Sequence, residues 1–150
     1  MTIYFYSTRD QYGEFSNFSA HGVTIDGKYY PTTEHYFQAQ KYVETKPEYA
    51  ERICQAKTPK EAAELGRNRA VPIRSDWEKV KDNIMLEAVT AKFTQHSELK
   101  KLLLSTGVAE LVENTSGDYY WGCGTKGTGK NMLGKILVQV RSELQILPTQ

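Results

Sequence analysis

The segment from residue 33 to residue 41 carries four side chains that could take part in chemistry: Glu34, Phe37, Gln38 and Lys41. They are three or four residues apart, so a helix would place a carboxylate, an aromatic ring, an amide and an amine on one face. A carboxylate can carry protons, and a neutral amine can attack an electrophilic carbon. Spacing alone leaves a structural alternative, because Glu34 also suits a first helical turn and Lys41 could be a solvated cation.

A second candidate site lies in the glycine-rich segment 118–131. Free backbone N–H groups at the start of the helix expected from Asn131, together with Lys126 and Lys130, would attract a phosphate group. The aromatic run before the glycines could stack on a flat heterocycle. Residues 124–131 are similar to a Walker A loop, but Asn131 stands where Ser or Thr must bind magnesium, which disfavours a P-loop nucleotidase. A flexible surface loop is the alternative.

Two smaller groups also contain polar and aromatic side chains. Asn17 and Phe18 lie in a turn, where a packed turn with Asn17 in the left-handed conformation is the structural alternative. Arg67 and Arg69 follow the helix expected to end near Gly66. Basic residues suit a helix C-terminus there, and they could equally face a phosphate.

The elements that must position these groups give an α+β fold that is predominantly α-helical, in one compact domain over residues 1–150. Strands are predicted at 2–7, at 23–25 and 28–30 around an Asp-Gly hairpin turn, and at 109–112. Helices are predicted at 33–44, 48–56, 58–66, from the capping box at 75–78 onward, 98–104, and from 131. The last helix should bury Leu133, Leu137, Val140 and Leu144 on one face.

Composition narrows the class of protein. The formal net charge of +1 gives no reason for a polyanion-binding surface over the whole chain. The start of the chain lacks a signal-peptide pattern, and no window is apolar enough for a membrane span. Two cysteines and three scattered histidines indicate neither a disulfide framework nor a metal site, so we expect a cytoplasmic protein with reduced thiols and no cofactor.

Several motifs in order along the chain resemble the YbiA-like family, also called NADAR. They are FYS near the start, GEFSNFS, YPTTEHYFQAQK, LGRNRAVPIRSDWEKVKDNIM and DYYWGCGTKGTGKNMLG. The resemblance covers the chain from Tyr4 to about Leu144. It implies an α-rich single domain and an N-glycosidase that releases ribose 5-phosphate from phosphorylated ribosylamino-pyrimidines of early riboflavin synthesis.

The resemblance also implies which residues serve the site: Glu34 and Lys41, Asp118 with Trp121, and Asn17 with Phe18. This sequence matches the family pattern at each of these positions. We therefore expect Glu34, Lys41 and Asp118 in catalysis. From the resemblance and the residue patterns above taken together, substrate binding is expected from Asn17, Phe18, Phe37, Gln38, Arg69, Trp121, Gly122, Lys130 and Asn131.

A lysine nucleophile suits this substrate, because a ribosylamine can open to an imine that Lys41 attacks to form a Schiff base. The pKa of Lys41 must then fall below about 10.4, through burial or through cations such as Lys126, Lys130 or Arg69. Glu34 would shuttle protons between the leaving nitrogen and water. The helix dipole favours its ionised form, so a role as base or oxocarbenium stabiliser suits it better than that of a proton donor unless it is well buried. Trp121 and Phe18 would stack on the heterocycle, and the loop 122–131 would hold phosphate.

Three alternatives remain open from the sequence. Glu34 could activate water directly, with Lys41 only binding phosphate. Other branches of the family act on ADP-ribosylated guanine in nucleic acid, although a near-zero net charge favours a small-molecule substrate. The chain could also be a non-catalytic module that binds ADP-ribose or a related nucleotide. Oligomeric state is not indicated.

Overall fold

The computed structural model describes residues 1–146, which form helices and short strands in an α+β arrangement. In chain order these are β1 (Thr2–Phe5), β2 (Val23–Ile25), β3 (Lys28–Tyr30), α1 (Thr33–Gln40), α2 (Pro47–Cys54), α3 (Pro59–Gly66), α4 (Trp77–Gln95), α5 (Ser97–Ser105), β4 (Glu110–Glu113) and α6 (Met132–Ile146). The predicted, predominantly helical class is confirmed. In this part of the chain no helix combines the length and the apolar character that crossing a membrane requires.

The chain divides into two compact units. The terminal unit comprises Met1–Ser19 and the chain from Phe93 onward, and the central unit comprises Ala20–Lys92. The organisation of residues 1–150 as one domain stays a prediction.

The terminal unit is built on a parallel pair of strands that are far apart in the sequence. β1 pairs with β4 in the register Thr2↔Glu110 to Phe5↔Glu113. Helix α6 packs on β4, and the four apolar side chains predicted to face the core from α6 are all buried. A side chain at Gly134 would place its Cβ 2.0 Å from the carbonyl oxygen of Leu111, so only glycine permits this close approach.

The central unit is arranged around α1, which packs against both α2 and α3. Thr32 caps α1 by accepting a hydrogen bond from the His35 N–H, and Thr58 caps α3 in the same way through Glu61. The predicted hairpin is confirmed: β2 and β3 are antiparallel, and Asp26 and Gly27 have φ angles of 52° and 79°, as a type I′ turn requires. Seven of the eight α1 residues are buried, so the polar groups on this helix lie inside the unit.

The structure corrects several predicted boundaries. β1 ends at Phe5 rather than at residue 7, α1 ends at Gln40 rather than near residue 44, and α2 ends at Cys54 rather than at residue 56. The second difference arises because the Lys41 carbonyl accepts a hydrogen bond from the Arg74 N–H at 2.9 Å instead of continuing the helix. α4 begins one residue later than a capping box starting at Ser75 requires, since the Asp76 carbonyl accepts the first helical N–H bonds.

Candidate functional site

Glu34 is a buried carboxylate in the first turn of α1, with a relative exposure of 9%. The Gln38 side-chain amide, one helical turn later, donates a hydrogen bond of 2.7 Å to Glu34 Oε2. A charge-assisted bond of this length fixes the orientation of the carboxylate. The predicted juxtaposition of these two groups on one helix face is therefore confirmed.

Lys41 follows the last residue of α1, and its amine is held by a backbone carbonyl. Lys41 Nζ donates to the oxygen of Gly66 at 3.1 Å, and the hydroxyl of Tyr42 donates to the same oxygen at 3.2 Å. The ammonium also lies 5.7 Å from the ring centroid of Trp77, which packs against Phe37 at 5.0 Å. Two of the predicted residues, Phe37 and Lys41, thus share one aromatic neighbour.

The surroundings of Lys41 lower the pKa of its amine. Burial is the largest cause, and the positive charges of Arg67 and Lys81 act in the same direction. The negative charges of Glu34 and Glu78 oppose this shift. The lowered pKa increases the fraction of neutral amine, which is the nucleophilic form.

The charges that act on Lys41 differ in part from those predicted. The cations that lower the pKa of Lys41 are Arg67 and Lys81. Arg69, which was a candidate for this role, lies on the exposed segment after α3. Lys126 and Lys130 belong to the terminal unit.

Gln38 also packs closely against Gly66, a contact that its sequence position does not reveal. The side chain is 6% exposed, and its Oε1 atom is buried with no hydrogen-bond partner among the described residues. That oxygen lies against the α-carbon of Gly66, where an added Cβ would be 2.0 Å away. The absence of a side chain at Gly66 therefore allows the amide to reach Glu34, while the Gly66 carbonyl holds Lys41.

Phe37 and Gln38 are thus occupied by contacts within the central unit, and their contact with substrate stays a prediction. The sequence analysis missed Gly66, Tyr42 and Trp77 as neighbours of the site. The Gly66 contribution is a backbone oxygen and a missing side chain, which no residue pattern signals.

In the terminal unit, Asp118 and Trp121 are brought together by a turn. Asp118 Oδ1 accepts hydrogen bonds from the N–H groups of Tyr120 at 2.9 Å and Trp121 at 2.8 Å. The rings of Tyr120 and Trp121 meet edge to face at 4.8 Å. The structure thus gives Asp118 a turn-stabilising role, and its part in catalysis stays a prediction.

The glycine-rich loop is internally hydrogen-bonded instead of presenting free amides. At the start of α6, the N–H groups of Met132 and Leu133 donate to the carbonyls of Tyr120 and Trp121, at 2.9 and 3.1 Å. The N–H of Lys130 donates to the Tyr119 carbonyl at 2.8 Å. The expectation of free N–H groups at this helix start is wrong for these residues, because the preceding loop folds back and satisfies them.

Asn131 connects the loop to β4 and adopts a left-handed φ of 51°. Its Oδ1 accepts from the Glu113 N–H at 2.9 Å, and its Nδ2 donates to the Leu111 carbonyl at 2.8 Å. Its own N–H donates to the carbonyl of Gly122 at 3.0 Å. Both ends of the Asn131 amide therefore stabilise the strand, and substrate contact by Asn131 and Gly122 stays a prediction.

Asn17 and Phe18 lie in the N-terminal turn, also in the terminal unit. Asn17 is buried, and it is absent from the described non-glycine residues with positive φ, so the left-handed conformation that belonged to the structural alternative is not adopted. Phe18 is half-exposed, and its N–H donates to Ser16 Oγ at 3.1 Å. The exposed ring of Phe18 remains accessible for the stacking role predicted for it.

Comparison with known proteins places this geometry in a family. Residues 4–145 match the NADAR domain. The N-glycosidase YbiA of Shigella boydii serotype 4 (strain Sb227) is 53% identical over 144 residues, which cover 96% of this chain and 89% of that protein. The chloroplastic riboflavin biosynthesis protein PYRR of Zea mays is 43% identical over 155 residues, covering 95% of this chain and 25% of that protein.

The fold agrees with these sequence matches. The NMR structure of the E. coli protein YbiA superposes with a TM-score of 0.89 at 50% sequence identity, covering 97% of this chain and 88% of that chain. At 50% sequence identity, the structural match indicates a shared family and not only a shared fold. The chain therefore belongs to the NADAR domain family, and it is an N-glycosidase.

Proposed function

We propose that this N-glycosidase hydrolyses the C–N bond between ribose 5-phosphate and the amino-pyrimidine of an early riboflavin-pathway intermediate, with Lys41 as nucleophile and Glu34 as proton carrier. The observation that carries the proposal is the Lys41 amine, whose pKa is lowered by burial and which interacts electrostatically with the buried Glu34. The substrate class is supported by the family resemblance and by the maize relative named for riboflavin biosynthesis.

The reaction begins when the ribosylamine opens to an imine at the sugar C1 atom, and the imine nitrogen takes up one proton from solvent, which is returned to solvent when the lysine is released. The neutral amine of Lys41 adds to C1, which then carries both nitrogens. A proton passes from the Lys41 nitrogen through Glu34 to the pyrimidine nitrogen, whose bond to C1 breaks, and the amino-pyrimidine leaves with that electron pair. Water adds to the remaining lysine iminium, and cleavage of the C1–Lys41 bond returns the amine and frees ribose 5-phosphate.

The contacts around the two groups support these roles. Gln38 orients the Glu34 carboxylate, and the Gly66 carbonyl directs one N–H of Lys41, so neither group must be ordered when substrate binds. Once the iminium forms, the Lys41 nitrogen carries a positive charge that the nearby Glu34 stabilises.

The terminal-unit residues enter as predictions about substrate binding. Phe18 and Trp121 would stack on the heterocycle, and Lys130 would bind phosphate, as would Arg69 of the central unit. Alanine at any of these positions should raise KM more than it lowers kcat, because such contacts are made equally in the ground and transition states.

The first experiment measures release of free amino-pyrimidine and ribose 5-phosphate by wild type, Glu34→Gln, Lys41→Ala and Lys57→Ala. Lys57 is an exposed lysine of the same unit and serves as the matched control. We expect both site variants to lose nearly all activity and the control to retain it. An unchanged rate in Lys41→Ala would refute the role of this amine.

Two further measurements separate covalent from direct attack by water. Borohydride added during turnover should attach the sugar phosphate covalently to Lys41, as detected by mass spectrometry of the peptide. Lys41→Arg keeps the charge but has no nucleophilic amine, so it should be inactive in the covalent route. Substantial activity in Lys41→Arg without any trapped adduct would assign water activation to Glu34 instead.

The same assay distinguishes the remaining functions. Release from ADP-ribosylated guanine DNA, with none from the ribosylamino-pyrimidine, would identify ADP-ribosylated nucleic acid as the substrate. Tight ADP-ribose binding without any product would indicate a binding module. A cytoplasmic location, expected for a chain whose Cys54 and Cys123 are both free thiols, also stays a prediction.

A further inference from the structure

A cavity of about 890 Å³ lies within the terminal unit, along β4, the glycine-rich loop and one face of α6. Its volume is in the range of sites that hold small organic ligands. The charged residues that line it are strongly unbalanced, with Glu110 opposed by Lys126, Lys130, Lys135 and Arg141. An excess of cations around one cavity favours an anionic occupant.

Arg141 is the most informative of these residues, because the residue as a whole is only 5% exposed. Its Nη1 atom donates a hydrogen bond of 2.8 Å to the hydroxyl of Thr106, which itself donates to the Leu103 carbonyl at 2.6 Å. This chain of bonds fixes the orientation of the guanidinium. Burial lowers the pKa of Arg141, but an arginine remains charged at neutral pH.

The charge on Arg141 lacks a compensating anion within the described chain. No carboxylate of residues 1–146 forms an ion pair with it, and Thr106 accepts only one of its five N–H bonds. A buried charge is normally paired, since its removal from water is costly. The cavity that Arg141 lines is where a ligand could supply the missing negative charge.

We propose that this cavity binds the phosphoryl group of a small phosphorylated compound, with Arg141 as the anchor. A guanidinium presents a planar fork that matches two phosphate oxygens, and the lining lysines supply further charge for a dianion. The remaining volume along β4 and the loop accommodates the organic part of the ligand. The anchor Arg141 and the neighbouring Lys135 are not among the residues proposed for the glycosidase reaction, although Lys130, which is proposed to bind the substrate phosphate, also lines this cavity.

The test is isothermal titration calorimetry of the full chain with inorganic phosphate, ribose 5-phosphate and AMP, each at constant ionic strength. Wild type should bind at least one of them, and Arg141→Gln and Lys135→Gln should each weaken binding about tenfold or more. Tighter binding of ribose 5-phosphate or AMP than of inorganic phosphate would identify an organic phosphate as the ligand. Tightest binding of inorganic phosphate would identify the free ion.

Two controls separate this site from the catalytic one and from general charge effects. Glu34→Gln should bind with unchanged affinity even though its glycosidase activity is lost. Lys101→Gln removes an exposed lysine of α5 that does not line the cavity, and should bind as wild type does. Equal weakening by Lys101→Gln and Lys135→Gln would overturn the proposal.

Cys123 provides a second readout that does not depend on the Arg141 variant remaining folded. This partly exposed thiol lines the same cavity, whereas Cys54 is buried in the central unit. Bound ligand should slow alkylation of Cys123 by iodoacetamide in wild type, and less so in Lys135→Gln. The proposal fails if none of the three compounds binds at a concentration of about 10 mM, or if a ligand binds without protecting Cys123.

Discussion

Replacing Gly66 with alanine tests how the two reactive groups are positioned. The added methyl would lie 2.0 Å from Gln38 Oε1 and 2.6 Å from Gln38 Cδ, well inside contact distance. Gln38 is buried and bonded to Glu34, so it cannot move without releasing that carboxylate. If the Gly66 backbone moves away from Gln38 instead, the carbonyl that holds Lys41 is displaced.

The effect on stability should be small compared with the effect on activity. Overpacking a buried site costs about 1–3 kcal/mol, whereas alanine in a helix gains up to about 1 kcal/mol over glycine. The net loss in unfolding free energy is therefore about 0–2 kcal/mol. Misplacement of Glu34 and Lys41 by about 1 Å should lower kcat/KM about 10- to 100-fold.

The assay combines urea denaturation with steady-state kinetics of the purified variants. Gly117→Ala is the matched control, because nothing lies within 4 Å of the position a Cβ would occupy there. In a double-mutant cycle, Gln38→Ala should relieve the stability cost of Gly66→Ala, with a coupling of about 0.5 kcal/mol or more. The reasoning is refuted if Gly66→Ala matches Gly117→Ala in kcat/KM.

Three further predictions concern charge, acid stability and the glycine-rich loop. Because Arg67 lowers the pKa of Lys41, Arg67→Gln should raise it and move the acid limb of the kcat/KM profile to higher pH; an unmoved limb would exclude this influence. Burial lowers the pKa of His35, whose Nε2 donates to the Ala56 carbonyl, so its neutral form contributes stability that is present above pH of about 6.5 and lost as pH falls below it. Unfolding free energy measured from pH 7 to 5 should thus decline less in His35→Gln than in wild type, and parallel declines would contradict this. Asn131→Ala, which removes both side-chain hydrogen bonds to β4, should lower the unfolding free energy by about 2–4 kcal/mol. Asn131→Gly should lower it by less, because glycine tolerates the left-handed φ. A larger loss in Asn131→Gly than in Asn131→Ala would disprove the strain argument.

Local signals in the sequence were sufficient for most elements. Thr32 and Thr58 cap helices because their hydroxyls lie next to helix-forming runs, and Asp26-Gly27 forms its turn because both residues tolerate positive φ. The shared face of Glu34 and Gln38 follows from helical periodicity alone. Each of these features depends on residues fewer than about five positions apart.

The missed features depend on contacts between distant segments. The parallel pairing of β1 with β4 joins residues more than a hundred positions apart, and no local pattern specifies a partner. The loop before α6 was expected to present free N–H groups because it is rich in glycine. Its amides are instead used by carbonyls of Tyr119, Tyr120 and Trp121, which only the folded path of the chain brings near.

The charges around Lys41 act at different stages of the proposed reaction. Before attack, burial and Arg67 favour the neutral amine, whereas Glu34 favours the ammonium and so opposes nucleophilicity. After attack the nitrogen is a cationic iminium, and the influence of Glu34 becomes stabilising. A carboxylate near a lysine nucleophile thus makes the neutral, attacking amine less abundant but stabilises the iminium that follows. Burial must therefore lower the pKa of Lys41 by more than Glu34 raises it.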